Sequence, residues 1–223
     1  MCRGKGTGET SPCLSEVIWN MQEQIKRALI LNGELEAGLS LHSFAGAVEN
    51  VLRKRGIENK TVLLREKEIS DCKGCFHCWI KTPGKCIIDD YSREITRLFV
   101  HVDLAIFLTP LIFGGYSSEL KKGLDRIIPL ISPFFITIDG ETHHRKRYKS
   151  YPSLIGIGIT DQENPDQENI FSKLILRNSI NMHSPFQGSL VFQADQNPQL
   201  VSSKLEALLE KVAGKRCKTR KRF

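Results

Sequence analysis

From residue 26 onward, short apolar runs alternate with amphipathic helical patterns, and this alternation narrows the available folds more than any other feature of the chain. Ala28-Leu-Ile-Leu31 is a continuous apolar run that stops at Asn32-Gly33, as a buried strand meeting a turn does. Thr61–Leu64, Asp103–Thr109, Leu154–Thr160 and Ser189–Phe192 read the same way. Between them, apolar residues recur at helical spacing. Phe44, Ala47, Val48, Val51 and Leu52 form one face, with Gly56 as a stop. Ile95, Leu98, Phe99 and Val102 form a second, with Asp89 or Asp90 as N-cap. Leu120, Leu124, Ile127 and Ile128 follow Ser117 or Ser118, and Ile170, Phe171, Leu174 and Ile175 form a fourth face. Val201, Leu205, Leu208, Leu209 and Val212 complete the last one. Residues 129–152, rich in Pro, Phe and His, read as irregular.

Strands without polar alternation are buried on both faces, so helices must cover a parallel sheet on each side. Five such units in one domain predict an α/β fold: a doubly wound five-stranded parallel sheet of flavodoxin-like order 2-1-3-4-5. In that arrangement ligands sit outside the carboxyl ends of the strands, at the switch between the first and third strands. The expected organisation is an N-terminal extension over 1–25, one domain over 26–213 and a basic tail over 214–223.

Bulk properties exclude several classes. No apolar run approaches the roughly 18 residues of a membrane span, and residues 1–24 lack the apolar core of a secretory signal. A cytoplasmic, reducing location follows as the expectation, and with it free thiols. The net charge of +7 is a local property: the last ten residues carry six basic side chains and no acid, leaving +1 for the rest. A short solvated end accounts for this, and the body has no basic-aromatic stripe of the kind single-strand binders need. Nucleic-acid binding is therefore not expected.

Two loops carry the chemistry. Cys72, Cys75, Cys78 and Cys86 have the spacing C-x2-C-x2-C-x7-C, so four of the seven cysteines fall within fifteen residues. Reduced thiols so dense form a ligand set or a redox site rather than a disulfide framework. The second loop, Thr109-Pro110-Leu111-Ile112-Phe113-Gly114-Gly115-Tyr116, leaves the third strand where a planar ligand can lie against backbone. Pro110 fixes one dihedral, Gly114 and Gly115 permit close approach or positive φ, and Phe113 and Tyr116 offer ring contacts. A tight connection that uses Pro and Gly only as turn residues is the plainer reading. Asp89-Asp90 reads as a helix cap, and Trp79 as an anchor for the cysteine loop. Glu141-Thr-His143-His144-Arg-Lys-Arg147-Tyr-Lys149 is either a grip for an acidic group such as an NADPH phosphate, or an exposed basic loop or subunit contact.

The ordered set Cys72-x-Gly-Cys75-Phe-x-Cys78-Trp, Lys81-Thr-Pro-Gly84, Cys86-Ile-Ile-Asp-Asp90, Thr109-Pro110, Gly114-Gly-Tyr-Ser-Ser-Glu-Leu-Lys-Lys122 and Asp125-Arg126 resembles the NADPH-dependent FMN reductase family. The resemblance covers residues 26 to about 195. It implies a flavodoxin-like fold, non-covalent FMN beside the 109–116 loop, NAD(P)H as co-substrate and a homo-oligomer. It also implies a small-molecule or protein electron acceptor such as a quinone or free flavin. The cysteine set is similar to that of the iron–sulfur flavoprotein subgroup, which implies Cys72, Cys75, Cys78 and Cys86 as ligands of a [4Fe-4S] cluster. Zinc, and a rigid metal-free loop over the flavin, remain the alternatives, and a zinc-stabilised, non-catalytic binding module is the reading from another class. One loop departs from the family, whose members carry hydroxyl residues after the first strand to hold the FMN phosphate. Here the segment is Asn32-Gly33-Glu34-Leu-Glu36-Ala-Gly38-Leu-Ser40. Gly33, Gly38, Ser40 and the next helix's N-terminus remain as phosphate donors, while Glu34 and Glu36 oppose its charge unless they point away.

Overall fold

The computed structural model describes residues 25–219, with side chains through Val212. Five parallel strands form the central sheet in the order β2-β1-β3-β6-β7. They are β1 (Arg27–Asn32), β2 (Glu58–Leu63), β3 (Leu104–Pro110), β6 (Ser153–Thr160) and β7 (Gln187–Gln193). Counting the parallel strands alone, this is the expected 2-1-3-4-5 order. Two strands outside it, β4 (Ile131–Ile138) and β5 (Glu141–Lys146), pair as an antiparallel hairpin.

Residue parity explains why the strands read as unbroken apolar runs. Ala28 and Ile30 of β1 point into one core, and Leu29 and Leu31 into the other. Helices α1 (His42–Lys54) and α6 (Gln199–Thr219) cover the first face, through Phe44, Val48, Leu52, Val201, Leu205 and Leu209. The second is covered by α3 (Tyr91–Phe99), α4 (Ser118–Asp125) and α5 (Pro165–Asn181), through Ile95, Phe99, Leu120, Leu124, Phe171 and Ile175. A short helix, α2 (His77–Ile80), lies within the cysteine loop.

Side chains set where three of these helices begin. The Asp90 carboxylate accepts from Ser92 N for α3, the Ser117 hydroxyl from Leu120 N for α4, and Asn164 from Gln167 N for α5. Each such cap is worth about 1 kcal/mol. Helix α1 differs, for Leu41 provides no side-chain cap and no acid lies in its first turn.

The hairpin differs from the expected irregular segment, and its turn is the reason. Asp139 and Gly140 both have positive φ, at 50° and 83°, which is what a two-residue turn between antiparallel strands needs. The N-terminal extension over 1–25 lies outside the described residues except for Ile25, and so do the side chains of the basic tail.

Candidate functional site

The carboxyl ends of β1 and β3 are tied together before any ligand is considered. Gly33 N donates to Leu108 O at 2.8 Å, and the Ser117 hydroxyl donates to Gly33 O at 2.6 Å. A Cβ on Gly33 would lie 2.6 Å from both Leu120 Cβ and Ser117 Oγ, so this close approach excludes any side chain there. Thr109 is buried, and its hydroxyl donates to Pro110 O (2.9 Å) and accepts from Ser117 N (2.9 Å). One side chain thus joins the two ends of the 109–117 loop.

Within that loop, Ile112 and Gly115 exchange both backbone hydrogen bonds (3.2 and 2.8 Å) around Phe113 and Gly114. Phe113 has φ 51° and Gly114 φ 77°, a left-handed pair that closes a two-residue turn. A bulky residue in that region is strained and marks a candidate functional position. Phe113 stands 89% exposed at the tip. Leu111 turns inward onto Gly158 of β6, where an added Cβ would meet Leu111 Cδ2 at 2.6 Å. Leu111, Ile112 and Phe113 wall one side of a cavity of about 410 Å³. Thr160, Asp161, Gln162, Glu163, Asn164 and Gln167 wall the other. The cavity therefore sits at the carboxyl ends of β3 and β6, where this topology places ligands. Tyr116 lies elsewhere: its hydroxyl accepts from Asn178 (2.8 Å), and its ring packs edge-on against Phe107 and Phe171. Burial pushes its phenol above the ordinary range.

The β1–α1 loop presents its acid inward. Glu34 N donates to Asn32 Oδ1 (2.9 Å), and Glu34 Oε2 accepts from Leu41 N at 2.6 Å, at the amino end of α1. Glu34 Oε1 pairs with Arg65 at 3.0 Å. Glu36 and Gly38 are exposed, Gly38 with φ 117°, and Ser40 Oγ accepts from His42 N at 3.4 Å.

Cys72, Cys75, Cys78 and Cys86 are free and together line one cavity of about 240 Å³, with Phe76, Ile88, Asp125, Arg126 and Ile128. Burial pushes the Cys78 thiol up, and the neighbouring Cys86, Cys72 and Cys75 sulfurs push it further. Among the described residues, no three His, Cys, Asp or Glu side chains converge on a single-ion position.

Arg126, whose side chain is 1% exposed, braces this cavity. It forks onto Asp90 (2.8 and 3.1 Å) and reaches Cys86 Sγ at 3.4 Å. From the other side, Trp79 Nε1 donates to Ile131 O at 3.1 Å. Phe76, Trp79, His144 and Phe135 then form a chain of ring contacts at 5.1, 4.9 and 4.9 Å. The histidines of the basic stretch are structural in this geometry. His144 Nδ1 faces Ser132 O at 2.8 Å, and buried His143 lies between Asn181 and Glu141. A third cavity of about 580 Å³ between α4, α5 and the hairpin shares Asp125 and Ile128 with the cysteine cavity.

A model of the NADPH-dependent FMN reductase family matches residues 27–147, over half of the 223-residue chain. The chain belongs to this family. Its curated relatives include an iron–sulfur flavoprotein of Methanocaldococcus jannaschii, 40% identical over 81 residues, which are 36% of this chain and 41% of that one. Another, from Methanosarcina thermophila, is 31% identical over 100 residues, 45% of this chain and 51% of that protein. The chain thus spans about two-fifths to one-half of these relatives. Solved structures agree on the flavodoxin-like fold. The NAD(P)H:quinone oxidoreductase of Methanothermobacter marburgensis superposes with a TM-score of 0.62 at 10% identity, over 83% of this chain and 98% of that one. The FMN-dependent NADH-azoreductase of Bacillus anthracis, solved with FMN, gives 0.57 at 14%, over 86% and 100%.

In this FMN reductase family member Leu111, Ile112 and Phe113 line one cavity, Thr109 is buried behind them, and the four cysteines line another. In its first loop Gly33 is packed against Leu120 and Ser117, Gly38 and Ser40 are exposed, and the Glu34 carboxylate accepts from Leu41 N at the amino end of α1. The 160–164 loop, opposite Phe113, was not among the predicted site residues. Its signal was available: it follows the strand next to β3, at the sheet's carboxyl edge.

Proposed function

We propose that this chain is a flavin-dependent oxidoreductase that takes electrons from NAD(P)H and passes them to a quinone, a free flavin or a protein acceptor. The cavity at the ends of β3 and β6 carries this reading, because its walls combine an apolar turn with polar loop residues. The ring end of FMN fits there. Inside the turn, the amides of Ile112 and Gly115 bond each other's carbonyls, while those of Phe113 and Gly114 carry no backbone bond among the described residues. These are the donors for the ring's acceptor edge.

FMN, when bound, supplies two-electron hydride chemistry with nicotinamide at ring N5. The chain's part is to hold and orient. Thr109 fixes the loop ends, Leu111 seats the loop on Gly158, and Phe113 covers the mouth. No side chain is required to carry a proton. The exposed hairpin residues Phe134, Phe135 and Ile136 offer an apolar surface for self-association in the cytoplasm.

A second reading concerns the cysteine loop. Cys72, Cys75, Cys78 and Cys86 would hold a [4Fe-4S] cluster, which would supply one-electron transfer beside the flavin. Four thiols on one cavity and the names of the curated relatives support it. Anaerobic purification followed by a visible spectrum and assays of iron, sulfide and zinc tests both readings. Flavin bands bleached by NADH or NADPH are expected, with iron and sulfide in equal amounts. A colourless protein that takes up neither FMN nor riboflavin overturns the first reading, and flavin without iron and sulfide overturns the second.

A further inference from the structure

In a doubly wound fold, the amino end of the first helix after β1 is the natural seat of a ligand's phosphate, because unpaired N–H groups and the helix dipole both point there. In this chain that seat holds a carboxylate of the chain itself. Glu34 Oε2 accepts from Leu41 N at 2.6 Å, directly before α1 begins. Its other oxygen pairs with Arg65 at 3.0 Å, and the Glu34 side chain is only 12% exposed.

Nothing about this placement is loose. Gly33 is bonded at N to Leu108 O and at O to the Ser117 hydroxyl, and Glu34 N to Asn32 Oδ1. Those bonds fix the backbone from which the Glu34 side chain departs. Leu41 provides no side-chain cap and no acid lies in the first turn of α1, so Glu34 supplies the negative end that the helix dipole favours. Arg65 compensates the charge from the opposite side. An anion, its helix and its counter-ion are thus all provided internally.

We infer that Glu34 is a specificity residue that denies the flavin's 5′-phosphate its usual seat, so this chain recognises flavin by its ring and gains nothing from the phosphate. The inference rests on the flavin reading above and concerns the other end of the cofactor. A phosphate at α1 would meet a carboxylate already bonded to one of the N–H groups there, and like charges at contact distance repel strongly in a partly buried site. Removing the Glu34 charge ends that repulsion and frees Arg65, its ion-pair partner, for a phosphate.

Titration of wild type and Glu34→Gln with FMN and with riboflavin, followed by flavin fluorescence, tests this. Wild type is expected to bind the two flavins within about threefold of each other, and Glu34→Gln to bind FMN about tenfold more tightly with riboflavin unchanged. Inorganic phosphate is expected to raise the melting temperature of Glu34→Gln but not of wild type. Wild type binding FMN more than about tenfold better than riboflavin, or a Gln variant that shifts both flavins equally, overturns the inference. If wild type binds neither flavin, the flavin reading fails; FMN uptake by Glu34→Gln would still sustain the role of Glu34, and its absence would end both. Should the variant fail to fold, the wild-type ratio of FMN to riboflavin decides alone.

Discussion

Arg126 and Cys86 are in direct contact: a guanidinium nitrogen lies 3.4 Å from the sulfur, while the same group forks onto Asp90 at 2.8 and 3.1 Å. The cysteine that closes the thiol set is therefore held by a cation anchored through the N-cap of the next helix. Replacing Arg126 by Met is expected to cost about 3–5 kcal/mol, because Asp90 would be left buried without its partner. Chemical denaturation measures the loss. A cost under about 1 kcal/mol, the scale of an exposed pair, would show that the pair is not a brace.

The same pair sets an acid limit. Burial alone pushes the Asp90 carboxyl up, but hydrogen bonds from Ser92, the Ser70 amide and Arg126 outweigh it and hold the group below the usual carboxylate range. A depressed carboxylate contributes stability that is complete above its unfolded value of about 3.9 and lost as pH falls through the folded value. Wild type is thus expected to lose stability below about pH 4 more steeply than Asp90→Asn, which loses this contribution at every pH. Parallel acid limbs in urea melts of the two proteins would refute this assignment.

Gly158→Ala tests the seat of the Ile112–Gly115 turn and, with it, the proposed flavin site. An added Cβ would stand 2.6 Å from Leu111 Cδ2, and overpacking of this kind costs about 1–3 kcal/mol. Flavin affinity is expected to fall with stability, since Leu111 is the root of the Ile112–Gly115 turn. Unchanged affinity in a destabilised variant would separate the turn from the ring site.

On the cluster reading, Cys86→Ser is expected to abolish iron retention after anaerobic purification while the flavin bands persist. Metal analysis and the visible spectrum read the two separately. Full iron content in the variant would remove Cys86 from the ligand set.

Trp79→Phe keeps the ring contacts but deletes the donor to Ile131 O, at a cost of about 1 kcal/mol. Limited proteolysis is expected to cut within residues 72–86 faster than in wild type. An unaltered cleavage rate would mean that stacking alone secures the loop.

The parallel sheet was legible because burial on both faces leaves a chemical trace in each strand: Leu29 and Ile30 face opposite cores, so neither could be polar. The caps were legible for a similar local reason to within one residue: the sequence offered Asp89 or Asp90 and Ser117 or Ser118, and the structure uses Asp90 and Ser117. The hairpin was not, because Phe134, Phe135 and Ile136 form an exposed apolar run without strand alternation, although Asp139-Gly140 marked its turn. Arg126 was visible only as part of a resemblance, since its ion pair bridges 36 positions and no periodicity links such partners. The orientation of Glu34 was not legible, for a flexible acid in a loop can face either way.

The chain of rings from Phe76 through Trp79 and His144 to Phe135 makes the cysteine loop a poor candidate for transplantation. Its spacing looks like a self-sufficient cassette of fifteen residues, yet Ile131, Phe135 and His144, which support it, belong to a hairpin more than forty residues downstream. A graft onto another flavodoxin-like body would have to carry both segments, and any homologue that lost the hairpin would have had to find another way to keep its thiols in register.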